Sequence, residues 1–193
     1  MESGDITRIS FQDVPLFVRF LLGRSYRDVL GLGFRELVVY TRGRMPAPNY
    51  SAILVSPDNE TVVEIEYARI AMLETMLIIL VRPRDFLRCV IGVHGTCFTS
   101  VFADLKRCIT TKHAFLAANA IPGEKEFLIV PRASSVETIY EQHRQHKGEF
   151  AAKYGLVATQ FRDAADFLAF DHAALKKLAG KLRQESSLPE VRS

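Results

Sequence analysis

The chain has 193 residues, a formal net charge of +3 and a hydrophobic fraction of 48%. This length is typical of one domain, and the hydrophobic fraction is too high for a disordered chain, so we expect a sizeable core. The small positive charge is too weak to indicate a nucleic-acid partner, and we expect none.

The cysteines bear on the compartment of the protein. Cys89, Cys97 and Cys108 are an odd number with no closely spaced pair, which is typical of reduced thiols rather than of a disulfide framework. The first ten residues include Glu2 and Asp5 and lack the apolar core of a signal peptide. We therefore expect a cytoplasmic protein, with peripheral membrane association as the alternative.

In chain order, residues 1–45 are predicted to form a helical segment. Val14–Leu22 is apolar nearly all round, Pro15 is tolerated in a first helical turn, and Gly23 is a natural stop. Ser25–Tyr40 continues with apolar residues at helical intervals, interrupted by glycines. At nine residues, Val14–Leu22 is far too short to span a bilayer, which needs about 20 residues.

Residues 50–131 are predicted to form an antiparallel sheet of five or six strands. The clearest hairpin joins Tyr50–Val55 to Thr61–Tyr67 through a turn that contains Pro57 and Asp58. In the second of these strands, apolar and acidic residues alternate, as in a strand with one buried face. The other predicted strands are Thr75–Arg82, Phe86–Val93, Thr96–Ala103 and Phe127–Val130, with His94-Gly95 as the turn between Phe86–Val93 and Thr96–Ala103.

Two C-terminal helices are predicted to pack on one face of this sheet. The first, Ser135–Tyr154, follows a capping box at Ser134 and ends at Gly155. The second runs from about Gln160 to Gln184. Its predicted apolar stripe is Phe161, Ala165, Leu168, His172, Leu175, Ala179 and Leu182. Strands followed by helices indicate an α+β fold, and we expect the N-terminal segment and residues 50–193 to form one compact unit.

A zinc site on the cysteines is one chemistry that the sequence suggests. Cys89, His94, Cys97 and Cys108 are the right ligand types within twenty residues. However, a turn at His94-Gly95 would place Cys89 and Cys97 on opposite faces of a hairpin, where one ion cannot reach both. We therefore predict buried apolar cysteines and no metal.

The histidines give a second candidate site. His143 and His146 are three residues apart on one predicted helix, a spacing compatible with two metal ligands, but the sequence marks no third ligand. We predict that His143 is half-buried and that His146 is solvated. No nucleophile-elbow, zincin, phosphate-loop or dinucleotide motif is present, so we predict no catalytic residue and no cofactor. An enzyme built from His113, His143 and Cys108 is the alternative.

Four short features occur in chain order: Ala118-Asn119-Ala120, Pro122-Gly123, Val130–Ser134 and a following helix with His143. Together they resemble a pattern in uncharacterised bacterial proteins, in which a β-rich part precedes a helical tail. The resemblance spans residues 50–155. It implies the same order of strands and helices, and no functional residue, because that group has no assigned activity.

The N-terminal segment carries the functional prediction. Residues 14–45 contain six Arg against one Asp and one Glu, around more apolar surface than a small domain easily hides. We therefore predict a non-catalytic binding module, whose partner is a protein, a second copy of the chain or an anionic membrane surface. The predicted interaction surface is Phe17, Arg19, Phe20, Arg24, Arg27 and Phe34. The alternative is that residues 14–40 pack on the sheet of their own chain as part of the core.

Overall fold

The computed structural model describes residues 6–42, 49–68, 93–112, 125–173 and 176. In these ranges the chain forms seven strands and three α-helices, so the predicted α+β class is confirmed. The predictions for Thr75–Arg82, Cys89, His113 and Leu175 lie outside the described residues.

The described strands form one mixed sheet in chain order. They are β1 (Ile6–Ile9), β2 (Arg35–Arg42), β3 (Asn49–Val55), β4 (Thr61–Ala68), β5 (Val93–Val101), β6 (Arg107–Thr111) and β7 (Lys125–Ile129). All neighbours are antiparallel except β6 and β7, which are parallel. Strands β3, β4, β5 and β7 overlap predicted strands, whereas β6 lies where no strand was predicted, and β1 and β2 come from the segment predicted as helical. The prediction of a purely antiparallel sheet is wrong, because β6 and β7 are parallel.

The N-terminal segment is helical only in its middle. Helix α1 (Leu16–Gly31) runs through Gly23, where a glycine costs only about 1 kcal/mol relative to alanine. The chain turns at Gly33, whose φ of 84° is strained for other residues, and then enters β2. The predicted helix over Ser25–Tyr40 is wrong in its second half, because the apolar and β-branched residues there pair with β3 along their length.

The predicted turn at His94-Gly95 is also wrong. Both residues lie inside β5, where His94 pairs with Tyr67 and Gly95 pairs with Glu66 of β4. The dipeptide is turn-like locally, but pairing with the whole of β4 decides its conformation. The face assignment that separated Cys89 from Cys97 therefore has no structural basis.

Helices cover both faces of the sheet. Helix α2 (Val136–Tyr154) begins at the N-cap Ser135, one residue after the predicted cap Ser134, and ends as predicted at Gly155, which has the left-handed conformation. Helices α1 and α2 bury one core, which includes Leu22, Leu54 and Phe98. Its members are Val14, Val18, Leu22, Val29, Phe34, Val39, Ala52, Leu54, Val63, Ile65, Tyr67, Phe98, Val130, Val136 and Ile139.

The opposite face packs against the C-terminal part of the described chain. Phe161 and Phe167, the latter in helix α3 (residues 164–173), are buried with Ile53 and Val55 of β3. Since neighbouring residues of a strand point to opposite faces, this second core lies on the other side of the sheet from α2. The prediction that both C-terminal helices cover one face is wrong, because the chain passes to the opposite face of the sheet after α2.

The predicted stripe of α3 is only partly right. Phe161 is buried as expected and Leu168 is half-buried, but Ala165 and His172 are exposed. Phe167, which is not part of the predicted stripe, is buried instead. It lies in the first turn of the helix, which begins at residue 164.

Candidate functional site

The first two turns of α1 expose three large apolar side chains. Leu16, Phe17 and Phe20 have 75%, 53% and 81% of their surface accessible, respectively. Residues three and four apart on a helix are neighbours, so these side chains form one continuous patch, which we call the α1 face. On the other side of the same turns, Val18 and Leu22 are buried in the core.

The arginines around the α1 face have different roles. Arg19 is half-buried, and its guanidinium donates to the carbonyl of Gln12 at 2.9 Å. Arg24 is exposed, with Nε 3.8 Å from an Asp28 carboxylate oxygen. Arg27 is exposed and donates from Nε to the Gly23 carbonyl at 3.2 Å. Arg19 therefore secures the start of α1, whereas Arg24 and Arg27 hold their charges in solvent beyond the α1 face.

The structure removes one residue from the predicted interaction surface. Phe34 is 3% exposed and lies edge-on to Phe98 and Tyr140 in the core, with ring centroids 5.9 and 5.0 Å away, respectively. Phe17, Phe20, Arg24 and Arg27 are exposed, as an interaction surface requires. Their use in binding stays a prediction.

A second candidate site lies between α2 and the sheet. Residues Thr61, Ser100, Cys108 and Glu126 are paired in sequence across β4, β5, β6 and β7, so they form one polar row across the sheet. Thr61, Ser100 and Cys108 are fully buried. The hydroxyl oxygens of Thr61 and Ser100 are 3.1 Å apart and share a hydrogen bond.

Two histidines of α2 extend this row. His143 Nε2 lies 3.0 Å from the Ser100 hydroxyl and His143 Nδ1 lies 3.0 Å from the Thr110 hydroxyl. His146 Nδ1 lies 3.3 Å from the same Thr110 oxygen, and His146 Nε2 is 3.7 Å from a Glu126 carboxylate oxygen. Each ring nitrogen therefore has a polar neighbour on the sheet.

Both histidines are more buried than predicted. His143 is fully buried and His146 nearly so, with Ile139 and Phe150 on the same side of α2. Spacings of three and four residues place all four on the side that faces β5 and β6. The prediction of a solvated His146 is wrong, because the buried surface of α2 extends further around the helix than its apolar residues alone indicated.

Burial sets the protonation states of the cluster. It lowers the pKa of His143 to about 3, so the imidazole is neutral at neutral pH. Burial also lowers the pKa of His146, although the Glu126 carboxylate opposes this effect. Burial raises the pKa of the Cys108 thiol to about 12, so the thiol is protonated. The cluster is thus electrically neutral apart from Glu126.

The cluster does not favour the alternative of an enzyme. The structure brings His143 and Cys108 together, but Ser100, Cys108 and His143 have no exposed surface for a substrate to reach. A protonated, inaccessible thiol is a poor nucleophile. His113 lies outside the described residues, so a pair between it and Cys108 stays untested.

Ser100, Thr110 and Glu126 were not predicted from the sequence as neighbours of the histidines. The available signal was a hydroxyl residue on the same strand face as a buried one. Ser100 is two residues after Phe98, and Thr110 is two residues after Cys108. Their convergence depends on the parallel pairing of β6 with β7 and on the placement of α2, which no local pattern specifies.

Comparison of the chain with protein-family models, with curated proteins and with solved structures finds no match. The resemblance to bacterial proteins over residues 50–155 therefore stays a prediction. Among the helices that the structure describes, none combines the length and the apolar character needed to cross a membrane. The function is accordingly argued from the two sites alone.

Proposed function

We propose that the protein is a non-catalytic interaction module that docks through the α1 face onto a second copy of its own chain. The observation that carries this proposal is the exposure of Leu16, Phe17 and Phe20 side by side on a helix whose other side is core. Three adjacent side chains of this size expose roughly 400 Å² of apolar surface, a patch size that is often functional in monomers.

The size of the patch indicates a weak, reversible contact. A standard stable interface buries about 800 Å² on each partner, roughly twice the area of the α1 face. Aromatic side chains at the centre of a small interface carry most of its binding energy, surrounded by a polar rim. Phe17 and Phe20 have this central position, with Arg24 and Arg27 at one edge and Asp13 at the other.

The charges favour a second copy of the chain as partner. Asp13 lies in the 3-10 turn Phe11–Asp13 just before α1, and Arg27 follows the α1 face within the helix, so opposite charges come before and after the patch in the chain. In a two-fold symmetric pair, the two α1 helices run antiparallel and each surface patch meets itself. With the axis at Phe20, Asp13 of each copy lies near Arg27 of the other, and unlike charges meet on both sides.

The same arrangement gives space for Phe17. An axis at Phe20 brings Phe17 of one copy opposite Gly23 of the other. No heavy atom lies within 4 Å of the position that a Cβ would take at Gly23, so this part of the helix surface is open. A glycine opposite an aromatic ring lets the two helices approach closely.

An anionic membrane surface is a less suitable partner. Asp28 lies 3.8 Å from Arg24 and Asp13 precedes the α1 face, so two carboxylates offset much of the positive charge that Arg19, Arg24 and Arg27 bring to it. Peripheral binding to anionic lipid depends on basic residues without a nearby carboxylate, each of which contributes about 1 kcal/mol of binding free energy. The balanced charge around the patch supports a protein surface instead.

The test is sedimentation equilibrium of the full chain over the micromolar range. Wild-type protein should show a concentration-dependent monomer–dimer equilibrium, and Phe20→Asp should be monomeric throughout. Val157→Asp is the matched control, because Val157 is 82% exposed and lies outside α1, so this variant should dimerise like wild type. A wild-type monomer at every concentration would overturn the proposal. Sedimentation with anionic liposomes that depends on Phe20 would assign the α1 face to a membrane.

A further inference from the structure

The buried imidazoles of α2 converge on one point. Thr110 Oγ1 lies 3.0 Å from His143 Nδ1 and 3.3 Å from His146 Nδ1, so both Nδ1 atoms are directed at the same small volume. Cys108 lies two residues before Thr110 on the same face of β6. The ligand atoms of Cys108, His143 and His146 all lie within 4.8 Å of one another.

We propose that Cys108, His143 and His146 bind a divalent transition-metal ion with N/S ligand preference, Zn²⁺ above all. Imidazole nitrogen and thiolate are ligand types that bind Zn²⁺ well, and Zn²⁺ has no geometric demand beyond a roughly tetrahedral arrangement. This site lies between α2 and the sheet and does not include the α1 face. The metal proposal and the proposed function are therefore tested independently.

The distances require only small adjustments. Bond lengths of about 2.0–2.1 Å to nitrogen and 2.3 Å to sulfur place tetrahedral ligand atoms about 3.3–3.8 Å apart. The limit of 4.8 Å among the three ligand atoms therefore closes with movements of about an ångström. Rotation of the Cys108 side chain about its Cα–Cβ bond supplies such a movement without a shift of β6.

The remaining nitrogen of each imidazole is held by a sheet residue. The Ser100 hydroxyl lies 3.0 Å from His143 Nε2, and a Glu126 carboxylate oxygen lies 3.7 Å from His146 Nε2. With the proton of each ring on Nε2, both Nδ1 atoms carry a lone pair, and the ion replaces the Thr110 hydroxyl as their partner. Metal-ligating histidines usually donate their other N–H to a carboxylate or another oxygen in this way, which fixes the ring and raises its basicity.

Metal binding breaks one bond to hydrogen, the S–H bond of Cys108. The Cys108 thiol gives its proton to solvent as the sulfur bonds to the ion, and the two neutral imidazoles bind without losing a proton. The thiolate offsets one of the two positive charges of the ion, and the Glu126 carboxylate lies beside His146, where it is also paired with Lys153 at 3.0 Å. The nearest additional donor is the Thr110 hydroxyl, which already lies between the two Nδ1 atoms.

Cobalt titration of chelator-treated full-length protein tests the site. Co²⁺ should bind with one-to-one stoichiometry, give the intense visible bands of tetrahedral cobalt and a near-ultraviolet thiolate charge-transfer band, and be displaced by Zn²⁺. Cys108→Ser should abolish the charge-transfer band. The matched control is Cys97→Ser, because Cys97 pairs with Thr111 on the adjacent strand and points to the opposite face of the sheet, so this variant should keep the band.

Histidine variants test the other ligands. His146→Gln should lose tight cobalt binding, whereas His172→Gln, at an exposed histidine of α3, should bind like wild type. Glu126→Gln should weaken Zn²⁺ binding by about 10- to 100-fold, the usual effect of losing a carboxylate that orients a ligating histidine.

X-ray absorption of the zinc-loaded wild type needs no variant that might misfold. It should show one sulfur and two imidazole nitrogens around the ion. Absence of the thiolate band from wild type, persistence of the band in Cys108→Ser, or a zinc environment without sulfur would each overturn the proposal. The cluster would then be a buried hydrogen-bond network only.

Discussion

Phe20 and Leu22 are two residues apart on α1, yet Phe20 is 81% exposed and Leu22 is 2% exposed. Two residues correspond to about 200° around a helix, so the two side chains point to nearly opposite sides. A segment that is apolar nearly all round therefore divides into a core side and an outer side. The core side explains why the helix docks on the sheet, and the outer side needs another explanation, for which we propose a second copy of the chain.

The first prediction separates these two sides. Leu22→Ala should lower the free energy of unfolding by about 2–5 kcal/mol, because it leaves a cavity in the core. Phe20→Ala should change it by no more than about 0.5 kcal/mol at low protein concentration, as surface substitutions do. Urea denaturation followed by circular dichroism measures both. Similar losses for the two variants would mean that Phe20 also packs within its own chain.

The second prediction uses Gly23. Gly23→Ala should stabilise the monomer by about 0.5–1 kcal/mol, because alanine is the better helix former and no atom obstructs its Cβ. The same variant should weaken self-association, because the methyl group would occupy the space opposite Phe17 of the second copy. The control is Gly155→Ala, which should destabilise the fold, because Gly155 has a φ of 62° at the end of α2. A Gly23→Ala dimer as tight as wild type would exclude the proposed axis.

The third prediction concerns alkaline pH. The Tyr26 hydroxyl donates to the Glu36 carboxylate, which ties α1 to β2. Burial, together with this hydrogen bond and the negative charge of Glu36, raises the pKa of Tyr26 well above its ordinary value. A raised pKa in the folded state gives stability that is complete below the ordinary value, about 10, and is lost as the pH rises beyond it.

Urea denaturation at stepwise increasing pH checks this dependence. The stability of wild type should begin to fall above about pH 10, as Tyr26 ionises in the unfolded chain but not in the folded one. Tyr26→Phe should be less stable below that pH and should fall less steeply above it. The same slope in both proteins would show that another group is responsible.

The fourth prediction concerns the start of α2. The Ser135 hydroxyl accepts from the Thr138 amide at 3.2 Å, which satisfies one of the unpaired amides of the first turn. Ser135→Ala should therefore cost about 0.5–2 kcal/mol of stability, whereas Ser135→Asp should be nearly neutral. Thermal unfolding of the three proteins gives the comparison. Equal loss in both variants would mean that the hydroxyl does not act as a cap.

The sequence predicts those parts of the fold that local chemistry decides. Gly155 ends α2 as predicted, the cap at its start is Ser135 in place of the predicted Ser134, and the turn after Val55 joins β3 to β4, because caps and turns need particular residues. By contrast, His94-Gly95 has a local preference for a turn that pairing with β4 overrides. The strand β2 was missed for the same reason, since its pairing with β3 cannot be inferred from helical spacing.

The candidate sites were predictable to different degrees. The sequence marked Phe17, Phe20 and Phe34 as one candidate surface but left open whether residues 14–40 are core, and the structure exposes Phe17 and Phe20 and buries Phe34. The contact of Cys108 with the α2 histidines was not predictable, because it depends on which strand lies beneath α2. Long-range register of this kind leaves no trace in local residue patterns.

A charge exchange between two variants tests the self-docking of the α1 face most directly. Asp13→Arg and Arg27→Asp should each weaken the wild-type dimer, by roughly 10-fold, because each places like charges against one another twice in a two-fold pair. Mixing the two variants should restore the dimer, since every Asp13→Arg chain then meets an Arg27→Asp chain with opposite charges at both contacts. Sedimentation equilibrium of each variant and of the equimolar mixture gives the answer, with unfolding free energies as the control for folding. Recovery in the mixture is the result that the antiparallel α1 pair predicts, and a mixture as dissociated as its components would contradict it.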